Sequence, residues 1–307
     1  MFQGMGDPAR LIVGQSGDKQ TLENIRKELN LDKPKWQQFL YYLKDVSPVS
    51  VHTKEEIVAK QLQGIFIGGK YKLALKIPYF YKSYQTKKDT MGMIGDAFTG
   101  TLVLAITAML FACFFGILLG VLAAVKKGTW VDSATLFGSI SGISAPSFFM
   151  AILMAYVFGI VLHQYTGLPF TGSLMETDEV TGEKYLSLKN LILPAVTLGL
   201  RPMSIIVQLT RSSMLDVLQQ DYIRTAYAKG LSKTTIIFKH ALRNALNPVI
   251  TAVTGWFAEL LAGSFFIEYI FGWKGLGKLT VNALEKLDYP VVMGSVLFSA
   301  FIFICIN

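Results

Sequence analysis

At 307 residues, with 52% of them hydrophobic and only 16% charged, the chain carries more apolar side chains than a soluble domain needs, and its mean hydropathy of +0.43 marks a membrane protein. The net charge of +8 is spread along the chain without a zinc-finger, RNP-like or arginine-rich pattern, which argues against nucleic acid as a partner. The two cysteines, Cys113 and Cys305, sit inside apolar runs with no metal-ligand spacing, so disulfide and metal chemistry are set aside.

Residues 1–98 hold no spanning segment. Met1–Arg10 lacks the cationic stub and apolar core of a cleavable signal peptide. Thr21–Leu31 reads as a charged helical stretch. In Lys33–Leu43, Trp36, Phe39, Leu40 and Leu43 recur at helical spacing, which predicts short helices packed by an apolar stripe on something larger. Residues 54–88 are lysine-rich, with six lysines from Lys60 to Lys87. Inside them Gly64–Tyr71 (GIFIGGKY) imitates a phosphate-binding loop up to its last position, where Tyr71 replaces the Ser or Thr that holds magnesium. No nucleotide site is expected there.

Five apolar runs follow: Thr101–Val125, Ala134–Leu162, Leu191–Leu209, Val249–Ile270 and Val291–Ile306. Each approaches or exceeds the ~20 residues that cross a bilayer. Segment 211–247 carries six Lys or Arg (Arg211, Arg224, Lys229, Lys233, Lys239, Arg243) against Asp216 and Asp221, and Lys126–Lys127 lies in another connection. Loop 163–190 instead holds Glu176, Asp178, Glu179 and Glu183 against Lys184 and Lys189. The positive-inside rule therefore places 126–133 and 211–247 in the cytoplasm, and 1–98, 163–190 and 271–290 outside. Gly116–Gly120 and Gly138–Gly142 read either as close helix contacts or as the ordinary glycine of membrane helices. Pro146 in Ser144–Ser147 predicts a mid-span kink, the freed carbonyl being met by neighbouring hydroxyls.

Three charges fall in or near the apolar runs: Arg201, Glu259 and Glu268. A charge at the bilayer centre costs at least ~2.5–3.5 kcal/mol, so such residues face a protein or water-filled interior. All three are candidates for a translocation path. Pro202, next to Arg201, predicts a break in the third run, with snorkelling of Arg201 towards an interface the alternative. For Glu268 a structural role is favoured over substrate contact.

The most informative stretch is Asp221–Pro248, DYIRTAYAKGLSKTTIIFKHALRNALNP. Small residues lead to Gly230, which adopts left-handed angles without steric cost, and a second helical pattern runs to Asn247–Pro248. A helix–turn–helix on a membrane face is predicted; the plainer reading is an amphipathic loop helix with no special partner. Tyr222, Ile223, Arg224, Thr225, Ala226, Ala228, Lys229, Gly230 and Leu231, with His240–Pro248, resemble the EAA signature of ATP-binding-cassette import permeases in its oligopeptide/dipeptide form; Tyr227 stands where Arg is usual. The likeness extends to GDPAR at Gly6–Arg10, to Glu268–Gly277 (E–x–x–F–x–x–x–G–L–G, with Lys274 for the usual Pro) and to Asp288–Pro290.

The resemblance, to the first permease of the pair, implies an all-α polytopic membrane protein of the cell (inner) membrane. It would be a type I importer transmembrane domain over 99–307, with five visible spans, the family's first span missing, and an extracytoplasmic segment over 1–98 that carries an added element. The nine residues from Tyr222 to Leu231, without Tyr227, would couple a cytoplasmic hairpin, 211–248, to ATPase subunits. Implied partners are a second homologous permease, two ATPases that bind the ATP, an extracytoplasmic binding protein and a di- or oligopeptide; no cofactor of its own is expected. Nickel or another small solute is the alternative cargo. A membrane-embedded enzyme ranks behind, since His52, His163 and His240 lie far apart and no H-E-x-x-H or G-x-S-x-G occurs. A secondary transporter or channel would call for repeats or several mid-span acids.

Overall fold

The computed structural model describes residues 32–178 and 181–307, together with residues 22, 23 and 26. The expectations for Met1–Arg10, with its GDPAR likeness, and for most of Thr21–Leu31 fall outside the described residues. The chain divides into two units, one formed by Met1–Gly95 with Thr280–Leu297, the other by Asp96–Leu279 with Phe298–Asn307.

In the first unit, helix Lys35–Val46 precedes a three-stranded antiparallel sheet with Tyr71–Lys76 at its centre, flanked by Val49–Thr53 and Gly64–Gly68. The sequence reading did not foresee this sheet. Its signal was the two-residue alternation of Val49/Val51, Ile65/Ile67 and Leu73/Leu75. Register places Val49, Leu75 and Ile65 in one row and Val51, Leu73 and Ile67 in the next, and all six are exposed. The opposite face is polar and inward. His52 is fully buried, its ring nitrogens 2.9 Å from Ser50 Oγ and 3.1 Å from Glu56 Oε2. Glu56 also closes a capping box with Thr53 at the start of Lys54–Ala59, satisfying two amides that a helix start leaves unpaired.

Buried Asp45 gathers the rest. Lys60 Nζ donates to both of its carboxylate oxygens at 2.7 and 2.6 Å, Tyr81 donates to the same carboxylate, and Lys76 donates to its carbonyl. This knot occupies the inner side of Lys35–Val46, so Trp36, Phe39, Leu40 and Leu43 turn outward instead of packing inward as their spacing suggested. GIFIGGKY is the hairpin from Gly64–Gly68 into Tyr71–Lys76, a strand-to-strand turn unlike the strand-to-helix turn of a phosphate loop. Residues from 280–297, assigned by sequence to the membrane part, join this unit. Asp288 accepts from Ser83 Oγ at 2.5 Å and from Tyr84 N at 2.9 Å, and a Cβ on Gly294 would meet Thr90, Ile94 and Phe80 at 3.0 to 3.3 Å.

Among the described residues, three helices are long and apolar enough to cross a membrane: Thr90–Val125, Lys189–Leu218 and Tyr289–Ile306. Counting each bent pair as one span adds Trp130–Ser144 with Ser147–Val161, bent by 108°, and Lys233–Ala245 with Asn247–Ala262, bent by 54°. The five apolar runs thus map onto five possible spans. The first bend falls at Ala145–Pro146, where the backbone turns extended as the missing proline N–H allows, and Ser144 Oγ donates to Ile140 O at 2.8 Å.

In the second unit, Lys189–Leu218 is the hub. A Cβ on Gly116 would lie 2.8 Å from Ile206 Cγ2, one on Gly120 2.6 Å from Thr210 Cβ, and one on Gly142 2.5 Å from Ser204 Oγ. These glycines therefore set close approach of two neighbouring segments to the hub, whereas Gly138 faces open space. Pro202 does not break the hub as expected: the helix runs unbroken through Pro194 and Pro202, both buried. Packing on both sides holds the backbone helical where one lost N–H could not bend it. Loop 163–190 adds a two-stranded antiparallel sheet, Met175–Thr177 with Lys184–Leu186.

Candidate functional site

The hairpin begins with helix Asp221–Ala228. Its period turns Ile223 (1% exposed) and Ala226 (6%) downward, into a cluster with Val121, Ala124, Met214, Ile236 and Ile237. Tyr222, Arg224, Thr225, Ala228, Lys229 and Leu231 are exposed. Lys229 N donates to Thr225 O and Gly230 N to Tyr227 O, both at 3.0 Å, after which Gly230 turns left-handed at φ 74°. Ser232 then caps the next turn, accepting from Thr235 N at 3.3 Å. The second arm passes through a π turn at Ile236–Ala241 and is tied to the first by Asn244 Nδ2 donating to Tyr222 Oη at 2.7 Å. The result is a short exposed helix on an apolar base. Arg224 faces Asp221 only at the surface, at 3.4 Å.

The foot of the hub carries an ion pair that sequence counting missed. Arg211 Nε and Nη2 donate to the two carboxylate oxygens of buried Asp132 at 2.5 and 2.8 Å. Gly128 N donates to Asp132 at 3.0 Å. A bidentate fork of this kind joins Trp130–Ser144 to Lys189–Leu218. Arg211 had been read only as a topogenic charge; Asp132, in the first turn of an apolar helix, was the available signal.

The three candidate path residues separate. Arg201 and Glu259 line one cavity of about 190 Å3, together with Trp256, Thr197 and Ser147. The Arg201 guanidinium carbon stands 5.7 Å from the Trp256 ring centre. Among the described residues neither Arg201 nor Glu259 has a hydrogen-bond or ion-pair partner. Glu268 is not in that cavity. It is fully buried and accepts from Ser264 Oγ (2.6 Å), Thr101 Oγ1 (2.7 Å), Gly277 N (2.7 Å) and Lys278 N (3.2 Å). The glycine of the GLG stretch makes this possible, since a Cβ on Gly277 would sit 2.5 Å from Phe265 Cα and 3.0 Å from Glu268 Oε2. Beside it, buried Trp273 donates through Nε1 to Gly100 O at 2.9 Å. Glu268 therefore leaves the list of path candidates: its carboxylate is consumed in pinning the turn after Phe265–Ile270. Among the described residues no group of His, Cys, Asp and Glu is arranged to hold a metal.

A family model described as the binding-protein-dependent transport system inner membrane component matches residues 116–307. The glutathione transport system permease protein GsiC of Escherichia coli (strain K12) is 36% identical over 302 residues, spanning 98% of this chain and 84% of its own length. The chain belongs to the binding-protein-dependent permeases of ABC importers. The GsiC protein of Shigella flexneri serotype 5b (strain 8401) is 35% identical over the same extent. Among solved structures, the inward-facing MetNI methionine ABC transporter is similar at 17% identity with a TM-score of 0.47, over 69% of this chain and 97% of that one. The chain is thus a helical inner-membrane component of a transporter, not an enzyme.

Within the permease, six of the nine proposed coupling residues lie on the exposed side or edge of the hairpin helix, and Gly230 makes its turn. Ile223 and Ala226, the other two of the nine, are buried in this chain's own core. Helical periodicity decides this, because positions three apart share a face.

Proposed function

We propose that this permease is one half of an importer that carries short peptides across the inner membrane, and that helix Asp221–Ala228 with its Gly230 turn is the lever by which ATPase subunits drive it. The observation that carries the proposal is the exposed helix held on a buried apolar base, with Arg224 and, at its C-terminal cap, Lys229 outward. A helix seated by Ile223 and Ala226 transmits a push, whereas a free loop would absorb it. In this reading Arg224 and Lys229 meet acidic groups of an ATPase, and Tyr222 and Leu231 fill its apolar hollows. ATP binds only to the ATPases. Segment 211–248 lies in the cytoplasm and 1–98 outside, as the loop charges direct, where a binding protein delivers cargo. A sister permease completes the pathway.

Support for a peptide cargo comes from relatives named for glutathione, itself a short peptide. The test is co-purification of the permease with its sister permease and ATPases, wild type against Arg224→Glu combined with Gly230→Val. Retained ATPases in the wild type and their loss in the variant support the lever. Equal retention in both overturns it. Uptake of labelled trialanine that needs ATP and the binding protein tests the cargo.

A further inference from the structure

We propose that the cavity lined by Arg201 and Glu259 is a recognition site inside the permease for a zwitterion, with Arg201 receiving the carboxylate and Glu259 the ammonium of a short peptide. This rests on the peptide reading above and goes beyond it by assigning the two ends of the cargo to two side chains.

Both charges stand in apolar helices, where an uncompensated charge is costly. Mutual neutralisation would be the simplest relief, yet the two groups do not pair, and neither finds another hydrogen-bond or ion-pair partner among the described residues. The cavity thus presents one free cation and one free anion. Two of the other polar side chains on its wall are already engaged: Thr197 Oγ1 donates to Leu193 O at 2.7 Å and Ser264 Oγ to Glu268 at 2.6 Å.

Position matters as much as charge. Trp256 and Glu259 are one helical turn apart and share a face, and Arg201 is set against the Trp256 ring at 5.7 Å. An aromatic face steadies a guanidinium while leaving its fork of N–H groups free for bidentate contact with a carboxylate. The remainder of the wall is largely apolar, with Leu198, Leu260, Phe266 and Ile267. Such a surface fits the charged ends of a ligand without reading its side chains. The small volume, about 190 Å3, suits a short ligand.

The experiment uses the nucleotide-free complex of permease, sister permease and ATPases in nanodiscs, without binding protein. Equilibrium binding of trialanine, N-acetyl-trialanine and trialanine amide is measured by calorimetry. Blocking either end should weaken wild-type binding by about tenfold or more, the size of a lost charged hydrogen bond. Glu259→Gln should bind the free and N-acetyl peptides alike while still discriminating against the amide. Arg201→Gln should do the reverse. Arg201→Lys and Glu259→Asp, which keep the charges, should restore discrimination in part and serve where the neutral variants fail to assemble.

Equal wild-type binding of all three peptides, or none at all, overturns the site. So does loss of both discriminations in each variant, which is the mark of a gate that closes by pairing Arg201 with Glu259. ATP-driven trialanine uptake by the full importer separates the two claims. Uptake with binding indifferent to end-blocking sinks only the zwitterion site, and absence of uptake sinks the peptide reading as well.

Discussion

Glu259 and Glu268 stand near each other in sequence, the first in the middle and the second near the end of one apolar run, and their surroundings differ completely. Glu268 is closed in by two hydroxyls and two backbone amides of its own chain. Glu259 faces a cavity with no partner among the described residues. A buried carboxylate whose acceptors are filled from within has become part of the scaffold. One left unfilled beside an equally unfilled arginine remains available to something the chain does not contain.

The contrast is sharpest if Glu268 is broken. Glu268→Leu strands four donors in a buried turn, each costing about 1–3 kcal/mol. It should remove most folded protein from the membrane, with Glu268→Gln intermediate, as fluorescence-detected gel filtration would report. Near-normal yield of the leucine variant would return Glu268 to the path. Asp132→Ala comes next, leaving Arg211 without its fork at a cost of about 3 kcal/mol. Pairing it with Arg211→Met should recover most of the lost melting temperature, and strict additivity of the two changes would show that the ion pair is not the unit.

Gly230→Val forces a β-branched residue to φ 74° at a cost of about 1–3 kcal/mol. The permease should still fold, but ATP hydrolysis in proteoliposomes should proceed with little uptake; tight coupling in that variant would remove Gly230 from the lever. Glu259→Gln and Arg201→Gln should change the melting temperature least, by the equivalent of about 0.5 kcal/mol or less. A large drop in either would mean that these charges, like Glu268, belong to the scaffold.

The smallest effect concerns acid. Burial pushes the His52 imidazole below its usual value against the opposing pull of Glu56. Burial pushes Glu56 up, but the hydrogen bond from Lys44, the Thr53 amide, the Lys44 charge and His52 together more than offset this, and its carboxyl stays below the usual range. Full stability is therefore present above the ordinary histidine pKa of about 6.5. As pH falls through that value, the unfolded chain takes a proton that the folded sheet resists, and stability declines until the folded pKa is passed. Protection factors for hydrogen exchange across 49–76, each corrected for the intrinsic rate at its pH, should be lower at pH 5 than at pH 7.5, and His52→Gln should flatten the difference.

What the sequence disclosed follows a physical line. The spans and the Gly230 turn were legible because hydropathy and a left-handed glycine are local properties, and the hairpin motif extends over a contiguous stretch. The sheet was hidden because its apolar alternation faces outward, while its inner face holds His52 and Lys76, residues that read as solvated. Arg211 with Asp132, and Glu268 with Thr101, are partnerships across long separations that no window of sequence contains. Pro202 was misread because a lost N–H breaks a helix only where nothing else holds it.

The bend at Ala145–Pro146 also has a history in time. A growing chain presents 134–162 to the insertion machinery as one continuous apolar length, long before Arg211 has been made. Asp132 enters the membrane boundary with its counterion still 79 positions away. Only when the hub has followed can the guanidinium seize that carboxylate and fix the first arm beside it. The fork that joins Trp130–Ser144 to Lys189–Leu218 is thus a contact that only the later of the two helices can complete.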